Sequence, residues 1–147
     1  MKIYLPDNFP PSSDPILELL RFTKTIAVVG LSSNSARPSH KVSSYLQSVG
    51  YRMIPVNPNE REVLGVKSYP RLEGISEPID VVDIFRRTEE VPPVIDSAIA
   101  IRAKAVWLQL GVVSPQSCEL ARSAGLLVIE DLCLLVEHKR RRSQFAL

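Results

Sequence analysis

The sequence predicts an α/β fold, a doubly wound parallel sheet with helices on both faces. Three observations carry this. Short β-branched apolar runs alternate with amphipathic stretches along most of the chain, without an internal repeat. Thr25–Pro58 reads as strand, small polar loop, helix and strand, a βαβ unit whose crossover should be right-handed. Glycine or proline stands at many of the boundaries between these runs. About five parallel strands are expected, in the order 3-2-1-4-5, as one three-layer domain over residues 1–147. A chain of 147 residues is long enough for one real core.

Residues 1–13 are rich in Pro and Ser and read as an irregular arm. Asp14 is placed to cap a helix that starts at Pro15 and turns Ile16, Leu19, Leu20 and Phe22 toward the sheet. Thr25–Val29 is an apolar, β-branched run that suits a buried strand and stops at Gly30. Pro38 fits a first helical turn, because its missing N–H would be unpaired there anyway. Val42, Tyr45 and Leu46 follow at helical spacing, and Gly50 supplies the stop. Tyr51–Val56 is the second strand. The stretch after it is mostly connection, with turns at Leu64-Gly65 and Tyr69-Pro70 and a short helix at Pro70–Gly74.

Ile79–Phe85 is the third strand. Val91–Ala103 is a helix opened by Pro92-Pro93, with Val94, Ile95, Ala98 and Ile101 on one face. Ala105–Leu110 is the fourth strand, closed by Gly111, and Trp107 within it belongs to the core. Ser114-Pro115 opens a helix to Ala124, Gly125 ends it, and Leu126–Ile129 is the fifth strand. Asp131 is positioned to cap a final helix through Val136. The basic run after it, 139–147, is expected to be a solvated tail.

Composition narrows the function. Apolar residues make up 45% and charged residues 23%, the ordinary globular range. Four of the 18 basic residues lie in Lys139–Arg142, which leaves 14 against 16 acids in the rest of the chain. That body is not a basic nucleic-acid-binding domain, so no specific nucleic acid is expected as a partner. The apolar runs are too short to span a membrane. The N-terminus is broken by prolines and acids, unlike a secretory signal, so a cytoplasmic protein is expected. Cys118 and Cys133 have no metal or redox spacing and are expected as reduced thiols. With only His40 and His138 beside them, no zinc site is supported.

A ligand crevice is expected between the ends of strands one and four. The loops Gly30–Arg37, Val56–Asn59, Phe85–Thr88 and Gln109–Ser114 should open there. The free N–H groups of the helix after the first loop favour a phosphate. A dinucleotide fingerprint requires G-x-G-x-x-G, and Gly30-Leu31-Ser32-Ser33-Asn34-Ser35 keeps only its first glycine. Asn57-Pro58-Asn59 stands where an acid would hold the ribose of NAD. Both departures count against NAD.

What remains suits a diphosphate. Gly30 permits the tight turn, Ser32, Ser33, Ser35 and Ser39 offer hydroxyls, and Arg37 offers a fork of donors. The same serines also suit helix caps. Gln109 is near enough to reach a ligand or a buried carbonyl, and Gly111 permits close backbone approach. No nucleophile, base and orienter come together: Asp131 reads as a cap, Cys133 sits in an apolar setting, and His40 faces solvent.

In order, TIAVVGLSSNSARPSHKVSSYL, GYRMIPVNPNEREVLGVKSYP, IDVVDIFRRTEEVP, AKAVWLQLGV and DLCLLVEH resemble the small single-domain CoA-binding proteins. Their Rossmann-like fold recurs in the CoA-binding domain of the succinyl-CoA synthetase α subunit. The resemblance runs from about Thr25 to His138. It implies that the first loop, at Gly30, Ser32, Arg37 and Ser39, holds the CoA diphosphate. It also implies that the V-N-P turn, at Val56, Asn57 and Pro58, lies beside the nucleotide. The loop at Phe85, Arg86 and Arg87 would border the adenine. Arg86 and Arg87 suit a 3′-phosphate, or one of them is solvated and pairs with Glu89 or Glu90. Relatives often carry Lys directly after V-N-P; here Asn59 stands there, and Arg61 is the substitute at hand. The synthetase chemistry needs a further domain and a partner subunit. The implied function is therefore binding of CoA or an acyl-CoA without catalysis. The alternatives are an NAD(P)-type oxidoreductase or a regulatory interaction module using the same crevice.

Overall fold

Five parallel strands form most of a six-stranded sheet in the computed structural model, which describes residues 2–145. In chain order the strands are β1 (Ile3–Tyr4), β2 (Thr25–Val29), β3 (Arg52–Val56), β4 (Glu62–Val63), β5 (Val66–Lys67), β6 (Val81–Ile84), β7 (Ala105–Leu108) and β8 (Leu127–Glu130). The helices are α1 (Pro15–Phe22), α2 (Pro38–Ser48), α3 (Val91–Ala100), α4 (Pro115–Ser123), α5 (Leu134–Arg140) and α6 (Arg142–Phe145). The main sheet runs β1-β8-β7-β6-β2-β3, with β1 antiparallel to β8 and the others parallel; β4 and β5 form a separate hairpin. The predicted fold class is the observed one.

The strand order differs from the expected 3-2-1-4-5. Counting only the five parallel strands, it is 2-1-3-4-5, so the first strand lies between the second and the third. Pro55 gives the physical reason. It sits inside β3 and has no N–H to donate, which confines such a strand to a sheet edge. The expected order would have put β3 between two neighbours. In the structure β3 ladders only to β2, and its outer side carries one short bridge from Val56 to Tyr69.

The central strands are buried on both faces, which is why their sequences run apolar without alternation. Ala27, Val29, Ile54, Val82, Ile84, Val106 and Val128 pack on one face with Ile95 and Ala98 of α3 and Cys118 and Ala121 of α4. Ile26, Val28, Met53, Val81, Trp107 and Ile129 pack on the other with Ile16 and Leu20 of α1, Val42 and Leu46 of α2, and Leu134 of α5. Trp107 is fully buried, as expected, and its indole N–H donates to the Leu132 carbonyl at 2.8 Å. Among the described residues, no helix is long and apolar enough to cross a membrane.

The ends of the chain depart from expectation. The arm is not wholly irregular: β1 covers the β8 edge, and the Tyr4 hydroxyl donates to Glu130 Oε1 at 2.9 Å. Asp14 caps α1 by accepting from the Leu17 N–H at 3.2 Å, but Phe22 at the end of that helix faces solvent. The basic run is not a free tail within the described residues; positions 146 and 147 lie outside them. Lys139 and Arg140 close α5. Arg141, only 15% exposed, donates to Asp14 Oδ2 at 2.8 Å and to Glu137 Oε1 at 3.0 Å. His138 is buried, stacked on Phe145, with Nδ1 2.9 Å from the Tyr45 hydroxyl. Burial and the nearby Arg142 lower its pKa, which favours the neutral ring.

Candidate functional site

The observed strand order sets the position of the crevice. From β2 the chain crosses to β3 through α2 on one face, and from β6 it crosses to β7 through α3 on the other. The switch point therefore lies between β2 and β6, the first and third parallel strands, rather than the first and fourth. Gly30 stands at that point with φ +93°. Its N–H donates to the Val56 carbonyl at 2.8 Å, and the Phe85 N–H donates to the Val29 carbonyl at 2.9 Å. A Cβ on Gly30 would run into the Phe85 carbonyl oxygen. Three separate stretches singled out in the sequence thus meet at one glycine.

The first loop is held by its own side chains. Ser39 Oγ, buried, accepts from the Ser32 N–H at 3.1 Å. Ser32 Oγ accepts from the Asn34 N–H, and Asn34 Oδ1 from the Ala36 N–H, each at 3.0 Å. Ser32 and Ser39 thus tie the loop to itself and do not cap α2, whose N-cap is Arg37 with no side-chain bond. Asn57, 8% exposed, also works inward: its amide donates to the Leu31 carbonyl and its Oδ1 accepts from the Asn59 N–H, each at 3.0 Å. Glu60, which no sequence motif marks, also holds this loop: its Oε2 accepts from the Ser33 N–H at 2.7 Å. Bonds from Ser33 hold the Glu60 carboxyl below its usual range.

The arginines divide by environment. Arg37 stands exposed at the start of α2, and its side chain makes no capping bond. Arg86 is half-buried, its Nε 3.5 Å from the point a Gly30 Cβ would occupy. Neither side chain has an acidic partner among the described residues. Arg87 faces solvent at 81% exposure, 3.8 Å from Glu90, which is the solvated pair foreseen as the alternative. Arg86, Val56 and Pro58 line a cleft of about 220 Å³ with Val29 and Arg71. Arg61 is not among its lining residues, and Arg71 was not singled out in the sequence. A larger hollow of about 560 Å³ lies under the arm, beside Asp80, Lys104 and Leu127. It is at the amino ends of the strands, away from the switch point.

The last two candidates serve the protein interior. Gln109, 3% exposed, donates from its amide to Asp83 Oδ1 at 2.8 Å. Asp83 is fully buried in β6, and its Oδ2 has no hydrogen-bond partner among the described residues. Burial pushes its carboxyl up to about 7, against a downward pull from Gln109. The second of the two acids in IDVVDIF, set between Val82 and Ile84, was the sequence signal for it. Gly111 has φ +89° with open space around it, so the turn requires the glycine and no close neighbour does. Its N–H donates to Asp131 Oδ1 at 2.7 Å. Asp131, itself at φ +59°, therefore ties this loop and does not cap α5; Cys133 holds that N-cap position.

Comparison with known proteins adds a second line of findings. Residues 24–139 match the CoA binding domain family. The chain is 44% identical over 128 residues to the uncharacterised Bacillus subtilis protein YneT, covering 87% of this chain and 95% of that one. A solved hypothetical protein from Pyrococcus horikoshii superposes with a TM-score of 0.85 at 36% identity, covering 92% of this chain and 94% of the other. An ADP-forming acetate–CoA ligase of Archaeoglobus fulgidus is 25% identical over 128 residues, which span 80% of this chain but only 19% of the ligase.

Proposed function

This chain belongs to the CoA-binding domain family, and from that premise we propose that it binds coenzyme A, or an acyl-CoA, at the crevice between β2 and β6, without a reaction of its own. The observation that carries the reading is Arg86, a half-buried guanidinium against the Gly30 turn with no acidic partner among the described residues. Burying a cation without a partner is costly, and a diphosphate at the turn would offset that cost. The surroundings fit the same ligand. Gly30 has no Cβ and lets phosphate oxygens approach the backbone. Arg37 adds a second fork beside the first turn of α2, where N–H groups favour negative charge. Val56 and Pro58 offer an apolar wall to a flat ring, while Asn57, Ser32 and Ser39 hold the loops that frame it. Bound CoA would supply the thiol that carries an acyl group. The residues of this chain bind and orient the nucleotide, and Gln109, Gly111 and Phe85 shape the crevice through backbone and interior bonds.

Titration calorimetry tests the reading. Heat is expected with CoA and little or none with NAD(H). Tight NADH binding with no CoA heat would overturn it in favour of a dinucleotide enzyme. Arg86→Ala is expected to weaken CoA by roughly tenfold to a hundredfold, the loss of a hydrogen bond to a charged group of about 1.5–3 kcal/mol. Arg37→Ala should weaken it less, because that side chain is exposed, and Arg37→Lys should recover only part of the loss. Arg87→Ala should change nothing. Unchanged CoA affinity in a folded Arg86→Ala protein removes Arg86 from the site.

A further inference from the structure

Two arginines, Arg86 and Arg71, line one cleft at the carboxyl ends of the strands. Arg86 follows β6, Gly30 follows β2, and Val56 ends β3. Beyond β3, the Val56–Tyr69 bridge lays the next segment alongside it, and that segment leads through Pro70 to Arg71. Arg86 and Arg71 thus start from backbones about three strand spacings apart, roughly 14 Å. Val29, Val56 and Pro58 lie between them. CoA has a matching charge pattern, with a diphosphate on the 5′ side of its adenosine and a separate phosphate on the 3′ oxygen.

We infer that Arg71 recognises the 3′-phosphate, so that the chain selects CoA over 3′-dephospho-CoA. The inference rests on the CoA reading and deepens it. Arg86 is committed to the Gly30 turn by the position of its Nε, which assigns it to the diphosphate. Arg87 points to solvent, Arg61 does not line the cleft, and Asn59 carries no charge. Two arginines line the cleft, and Arg71 is the one away from the first loop. Its acidic neighbour is Glu73, with Nη2 3.7 Å from Oε2, a long and exposed pair of the kind that contributes little. That same Oε2 accepts from Ser97 Oγ at 2.9 Å, which anchors the carboxylate toward α3. The planar fork of Arg71 is left with donors for a phosphate, which takes two parallel bonds from a guanidinium.

The experiment is parallel titration of the wild-type chain, Arg71→Ala and Arg86→Ala with CoA and with 3′-dephospho-CoA. Circular dichroism checks that each variant is folded; Arg71 is 76% exposed, so its removal leaves the core intact. The wild type should bind CoA at least about tenfold more tightly than the dephospho form. Arg71→Ala should lose that preference, by weakening CoA and leaving dephospho-CoA unchanged. Arg86→Ala should weaken both ligands by the same factor. Equal wild-type affinity for the two ligands overturns the inference and leaves the CoA reading standing. Equal weakening of both by Arg71→Ala overturns the assignment of Arg71 to the 3′ side. Binding of neither ligand by the wild type overturns the CoA reading itself, and this inference with it.

Discussion

Replacing Gly30 by alanine is expected to destabilise the fold by about 2–5 kcal/mol and to abolish CoA binding by the fraction that stays folded. Two costs combine. The φ of +93° is unfavourable for a residue with a side chain, at about 1–2 kcal/mol. The new methyl group would also meet the Phe85 carbonyl, a backbone atom that cannot swing aside. Moving it shifts the end of β6 and drags Arg86 with it, and such overpacking costs about 1–3 kcal/mol. Gly111→Ala is the control. It has nearly the same φ, +89°, but nothing within 4 Å of the added atom, so only the first cost applies. Urea unfolding of both variants, with CoA titration of each, makes the comparison. Equal destabilisation would show that close approach at Gly30 contributes nothing.

Asp83→Asn is expected to change the pH dependence of stability. The carboxyl is fully buried and pushed up to about 7, whereas an unfolded chain ionises Asp near its ordinary value of about 3.9. Between these values the unfolded state loses the proton and the folded state keeps it. Stability associated with Asp83 is therefore complete below pH ~4, falls as pH rises, and levels off above pH ~7. At 1.36 kcal/mol per unit the full swing is at most about 4 kcal/mol. The isosteric amide does not titrate, so the variant should gain on the wild type from about pH 4 to about pH 7 and hold that gain above it. Other groups pull differently: Asp14 and Asp80 have lowered pKa values, and so does His138. They are common to both proteins, so the difference between the two urea-unfolding profiles isolates Asp83. Parallel profiles would mean that Asp83 is ionised in the fold.

The elements of the central sheet were legible because burial on both faces writes itself into continuous β-branched runs, as in Thr25–Val29. Strand order was not, because local periodicity is the same for both doubly wound orders. Pro55 carried the one usable signal, a residue that tolerates only an edge, and it was missed. The convergence of Gly30, Val56 and Phe85 was readable from the turn chemistry and the resemblance together. The role of Gln109 was half-legible: a partner inside the protein was foreseen, but not that it would be Asp83. Glu60 and Arg71 were invisible to spacing. Each reaches its place through a connection whose path depends on the β4–β5 hairpin and on the bridge at Tyr69, neither of which leaves a periodic trace.

If the first loop holds the CoA diphosphate as proposed, the Glu60 carboxylate on the Ser33 N–H would turn ligand entry into an exchange. An arriving phosphate would then displace a tethered anion there, not only water. A tethered group acts at an effective concentration on the order of millimolar, so a small free anion far below that level gains little from this donor. On that reading, a ligand that also engaged two guanidinium forks and an apolar wall would supply the contacts to win the exchange. The loop would then carry its own threshold, one that screens anions by how many contacts they make at once and not by charge alone.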